Sequence, residues 1–145
     1  MSNASEKAFE CFSSGFNCSQ AVFASYCEQN GIEKETAYKI GCGFGAGMAY
    51  CNETCGAVTG AIMLLGLKFG KYKIDDNESK ENTYKKVKQY IDDFTQKHGS
   101  VKCTELLGYN ISKKDELLKA REAGVFKSVC STLVKDSVEI MEKYL

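Results

Sequence analysis

The chain carries no net charge, because 19 acidic side chains balance 19 basic ones at pH 7. Such balance works against nucleic-acid binding, which calls for a concentrated positive footprint, and no basic block or recognised binding motif supplies one. Arginine is nearly absent. Arg121 is the one guanidinium, so extensive bidentate recognition of phosphates or base edges lacks its donors. No N-terminal basic segment leads into an apolar signal core. The longest apolar run, after Gly56, is broken by Lys68 well short of the ~20 residues a spanning helix needs. A cytoplasmic protein without a membrane segment is the expectation. Strongly alternating strands are missing as well. Gly41 to Gly47 lacks the following lysine and hydroxyl residue of a phosphate-binding loop, and it lacks the strand-to-helix setting of a dinucleotide fingerprint. No CxxC pair, no CxxCH haem attachment, no zinc-type pair of cysteine pairs and no internal repeat is present.

What the chain does have is cysteine and glycine. Its 145 residues suit one ordinary domain with a real core, and 43% hydrophobic residues argue against wholesale disorder. Ser2, Asn3 and Ala4 resemble the remnant of a cleaved expression tag, so residues 1–5 are expected to be disordered and 6–145 to form a single domain. Gly41 to Gly70 holds three of the eight cysteines and eight of the thirteen glycines. Its first part disfavours regular helix and allows left-handed or crowded backbone. From Thr54 to Leu67 the pattern turns helical, with Ala57, Val58, Ala61, Ile62, Leu64 and Leu65 forming a broad apolar surface, and Gly56 and Gly60 leave room for a close neighbour. Further helices are expected over Glu6 to Ser14, from Asn17, over Glu33 to Ile40, from about Ser79 to Lys97, near Cys103, over Lys113 to Glu122 and over Ser128 to Tyr144. Asn17 and Gln20 have capping-box spacing, and His98-Gly99 reads as a helix end. The longest of these helices should lay Tyr84, Val87, Ile91 and Phe94 on the core. The fold class is all-α, a compact bundle of about five to seven helices with a glycine-rich turn before a central apolar helix.

In a non-secreted chain of this size, eight cysteines suggest thiol, redox or metal chemistry more readily than four structural disulfides. Cys18 falls in the first turn of its helix, where free amides and the positive dipole end favour a thiolate. Cys11 and Cys27 read as core cysteines. Cys51 and Cys55 share a face if the turn between them is helical, and Cys103 and Cys130 could join them by folding to complete a four-sulfur site. Alternatively, one thiolate attacks a disulfide and a second cysteine resolves the mixed disulfide. A different class is a non-catalytic helical assembly protein whose cysteines pack or bind a structural zinc.

Three stretches read together narrow this: Gly15-Phe16-Asn17-Cys18-Ser19-Gln20-Ala21-Val22, Gly43-Phe44-Gly45-Ala46-Gly47-Met48, and Cys55-Gly56-Ala57-Val58-Thr59-Gly60-Ala61. With Gly99 to Gly108 around Cys103, and with Cys130, they resemble the redox-active C_GCAxxG_C_C family from about Ala8 to Met141. The resemblance implies a helical, redox-associated protein related to a domain of certain multihaem cytochromes that carries an iron–sulfur centre. It points to Cys18, Cys55, Cys103 and Cys130 as the site. They would serve as ligands of an iron–sulfur cluster in an electron carrier, or as a thiol–disulfide exchange centre with Cys18 attacking and Cys55 resolving. Cys51 departs from the family's commonest pattern and is expected as an extra resolving thiol or substitute ligand. The partner would be a redox protein of unknown identity, and a homodimer through apolar helix faces is the ordinary assembly.

Overall fold

A computed structural model describes residues 2–145. Among them the chain forms eight α-helices: α1 Asn3–Ser13, α2 Cys18–Ala24, α3 Lys34–Gly41, α4 Gly56–Phe69, α5 Asn77–His98, α6 Cys103–Leu107, α7 Lys114–Glu122 and α8 Val125–Glu142. The all-α class and the glycine-rich turn ahead of an apolar helix are as the sequence indicates. The short α6 and α7 take the count past seven. Among the described residues, extended pairing is confined to one isolated bridge between Thr54 and Lys102.

The bundle is built around α4. Ala57, Val58, Ala61, Leu64 and Leu65 are fully buried, as expected of a helix that is apolar on nearly every side. It packs on α2, α5 and α8, while α1 lies along α8. Gly56 and Gly60 set the approach of α2. A methyl group at Gly60 would lie 2.9 Å from the Ser19 carbonyl and 3.0 Å from Val22 Cβ, so the two backbones meet where side chains are missing. A buried polar chain ties three helices together: Tyr90 on α5 and Ser137 on α8 share a 2.7 Å hydrogen bond, and Ser137 donates to the Ala57 carbonyl at 2.6 Å. Pairing satisfies hydroxyls that would otherwise be costly to bury.

Two expectations change. The N-terminus, expected to be disordered over 1–5, is helical from Asn3; Met1 lies outside the described residues. Ser2 caps α1 by accepting from the Ser5 amide, and the Ser2 amide and Ser5 hydroxyl both donate to Glu139 on α8 at 3.1 Å. A cap and a tether to the core hold these residues in place. On α5 the buried residues are Tyr90 and Phe94, with Val87 and Ile91 beside them, whereas Tyr84 is 58% exposed because the first turns of the helix run past the core. Gly99 ends α5 at φ 88°, as its place after His98 suggests.

A smaller apolar cluster, Cys103, Leu107, Ile111 and Ala120, is formed by α6 and α7 with the start of α8. The seam between it and the main core is where the cysteines meet.

Candidate functional site

The capping box forms as its spacing indicates. Asn17 and Gln20 exchange side-chain to backbone hydrogen bonds at 2.9 Å, which places Cys18 as the first residue of α2. The same two amides reach outward: Asn17 Nδ2 donates to the Cys42 carbonyl and Gln20 Nε2 to the Tyr38 carbonyl, each at 2.9 Å. Thus the cap that starts α2 also moors the glycine-rich segment over Cys18.

That segment winds the wrong way. Ala46, Gly47, Met48, Ala49 and Tyr50 have φ of 53°, 61°, 65°, 55° and 66°, one turn of left-handed helix closed by Tyr50 N–H donating to the Ala46 carbonyl at 2.9 Å. Each non-glycine residue there costs about 1–2 kcal/mol. The turn is held by its surroundings. Glu53 N–H donates to the Gly47 carbonyl and Cys103 N–H to the Glu53 carbonyl, both at 2.9 Å, and Gly47 is pressed against Cys103, where a methyl group would come within 2.7 Å of Cβ. Strain of this kind collects at functional sites. Here it places Ala46 in the same cavity lining as Cys18, whose pKa the Ala46 amide lowers.

Cys55 precedes α4, beside the Thr54–Lys102 bridge; its amide donates to the Val101 carbonyl at 2.7 Å, and Cys103 follows on the other side. Gly56 lets Cys18 come close, since a methyl group there would lie 2.5 Å from Cys18 Sγ. Hydrogen bonding from the Cys55 thiol, with the Ala46 and Ser19 amides, holds the Cys18 pKa below the usual thiol range at about 7 despite burial. Cys55 is raised well above that range by the same hydrogen bond, by burial and by the charge on Cys18. Burial, then the Cys18 charge, pushes Cys103 up to about 12, and the same causes raise Cys130.

Cys18, Cys55, Cys103 and Cys130 all line one cavity of about 340 Å³. Its remaining walls are largely apolar, with Phe12, Leu106, Leu107, Phe126 and Leu133 among them, and Tyr50 and Arg121 stand at its exposed edge. Sequence reasoning missed both edge residues. The one available signal was that Arg121 is the sole guanidinium.

The iron–sulfur expectation is corrected by this geometry. Among the described residues no three cysteine, histidine, aspartate or glutamate side chains come together as a group able to hold a metal ion. Cluster ligation requires several thiolates converging on metal; here the four cysteines share a cavity lining without forming such a group. The structural zinc reading meets the same obstacle. Cys51 is exposed and absent from the cavity wall. It does not share a helical face with Cys55, because the chain between them is a bend and extended segment after the left-handed turn. Cys27 is fully buried, with its thiol 3.4 Å from the Ala24 carbonyl, and Cys11 lies half-buried 3.8 Å from the Tyr38 hydroxyl. All eight cysteines are free thiols. His98 packs on Phe94 with Nε2 3.0 Å from Asp136, an ion-pair contact off the line of a hydrogen bond, and it is not part of the cavity wall.

No helix among the described residues is long and apolar enough to cross a membrane. No curated protein and no solved structure matches the chain. A family match does exist and spans residues 16–144, from the segment that caps α2 to just past the end of α8, taking in all four cavity cysteines and the left-handed turn. The chain therefore belongs to the family described as putative redox-active protein (C_GCAxxG_C_C).

Proposed function

We propose that this redox-family protein is a thiol–disulfide exchange protein in which Cys18 attacks and Cys55 resolves. The observation that carries the reading is that Cys18 and Cys55 line one cavity large enough for a small molecule, with Cys18 Sγ seated against Gly56, the residue that follows Cys55. There the Cys18 pKa is lowered and the Cys55 pKa is raised. Such a pair stores one proton and one negative charge where exchange needs them.

In the half-reaction, the Cys18 thiolate attacks one sulfur of a substrate disulfide. A Cys18–substrate disulfide forms, the substrate S–S bond breaks, and the departing thiolate takes the proton from Cys55. Loss of the Cys18 thiolate removes the hydrogen bond that is the largest cause of the raised Cys55 pKa, and its charge as well, so Cys55 gives up that proton as it becomes the nucleophile. Its thiolate attacks Cys18 Sγ, the Cys18–Cys55 disulfide forms, and the second substrate thiolate leaves to be protonated by water. Two electrons pass from the cysteines to the substrate, and a dithiol reductant returns them. With Cys18 7% and Cys55 5% exposed, small disulfides and dithiols fit this site better than a folded partner's surface.

Alkylation of Cys18 by iodoacetamide, read by mass spectrometry across pH, tests the pair. The rate should rise with an inflection near pH 7, as the Cys18 value indicates. Cys55→Ala should move the inflection up toward the ordinary thiol value of about 8.5, while Cys55→Ser, which keeps a donor, should hold it low. An unchanged inflection in Cys55→Ala would remove Cys55 from the mechanism.

A further inference from the structure

We infer that the cavity selects small disulfides with an apolar body and a carboxylate, with Arg121 pairing the carboxylate at the entrance; this rests on the exchange reading above. The walls are largely apolar, and among the described residues no aspartate, glutamate, lysine or histidine lines the cavity, so Arg121 is its one cationic lining residue. Among the described residues no carboxylate pairs with that guanidinium. Its nearest partner is Tyr50, whose hydroxyl lies 3.4 Å from Nη2 and whose ring centroid is 5.9 Å away. A guanidinium presents five donors, so one contact to Tyr50 leaves the fork needed for bidentate carboxylate binding.

The placement of Tyr50 supports the assignment. It closes the left-handed turn at φ 66°, so the strained backbone that places Ala46 in the cavity lining with Cys18 also carries the aromatic face on which Arg121 rests. Sulfur chemistry and entrance charge are thereby set by one rigid element. An anionic disulfide would bury its apolar part among Leu106, Phe126 and Leu133, hold its carboxylate at Arg121 and present its S–S bond to Cys18. The exchange step is the one written above and needs no other reactant.

Two disulfides of similar size separate the terms: dithiobis-nitrobenzoate, which carries carboxylates, and neutral dithiodipyridine. In protein with exposed Cys42 and Cys51 replaced by serine, the rate of Cys18 modification by each is measured. Arg121→Gln should slow the anionic reagent by about 10-fold, a loss typical of a charge-assisted contact, and leave the neutral one within about two-fold. Arg121→Lys should recover part of the loss. Equal slowing of both reagents, or no slowing of either, would overturn the assignment. Octanoate binding, followed by calorimetry, does not depend on thiol chemistry. It should weaken by about 10-fold in Arg121→Gln. If the neutral disulfide fails to modify Cys18, the exchange reading fails, and octanoate still decides the anion site: unchanged affinity in Arg121→Gln overturns it.

Discussion

Cys18 is set apart from the other cysteines by its hydrogen bonds. Its place at the start of a helix is visible in sequence, yet the largest cause of its acidity is Cys55, 37 positions away in the chain by the difference of their numbers. The Ala46 amide adds to this only because its residue lies in a left-handed turn. That turn yields a test whose sign reports handedness. Ala→Gly in an ordinary exposed helix costs about 1 kcal/mol. At Ala49, exposed and at φ 55°, the same change should instead raise stability by up to about 1 kcal/mol, since glycine takes the left-handed region without the Cβ penalty. Urea denaturation checks it, and a destabilised Ala49→Gly would mean that the turn is not left-handed in solution. The glycine pattern foretold irregular backbone here. It could not foretell that most of the left-handed residues would be alanine, methionine and tyrosine, because tertiary hydrogen bonds impose that conformation.

Among the elements, α4 was the most legible, because apolar and small residues alternate around it with no polar side until Lys68. Its two internal glycines, Gly60 and Gly66, should respond oppositely to alanine. At Gly66 nothing lies within 4 Å of an added methyl, so Gly66→Ala should stabilise by about 1 kcal/mol through helix propensity. At Gly60 the methyl would press on the α2 backbone, and overpacking of about 1–3 kcal/mol should cancel or exceed that gain. Thermal unfolding of the two variants measures the contrast; similar stabilisation of both would show that α2 does not seat against Gly60. The capping box of α2 and the glycine stop of α5 were also readable, since each depends on residues a few positions apart. The start of α1 was misread because Ser2 and Ser5 are held by Glu139, from the far end of the chain.

On the scale of the whole molecule, the seam between two apolar clusters collects four thiols with opposed proton affinities. Cys55, Cys103 and Cys130 keep their protons past the pH, about 8.5, at which unfolded thiols lose theirs. Above that pH the unfolded chain binds fewer protons than the folded one, so stability falls, by at most about 1.4 kcal/mol per pH unit for each such group. Cys18 acts the other way. Its contribution is fully present above the unfolded value and is lost as pH falls through about 7. The reduced protein should be most stable near about pH 8–9 and weaken steeply above it. Denaturation midpoints across that range test this, and Cys130→Ala should flatten the alkaline limb.

By itself the sequence determined what local chemistry can determine: helix periods, caps and stops, a buried apolar helix, and four cysteines whose neighbours mark the family. Those signals act over a few residues and survive without the fold. Only the tertiary structure decided which sulfurs meet, that Cys51 stands apart, that no metal-holding group forms among the described residues, and that Arg121 faces the entrance. Each of these depends on distances between helices far apart in the chain, and such distances follow from the packing of the whole core.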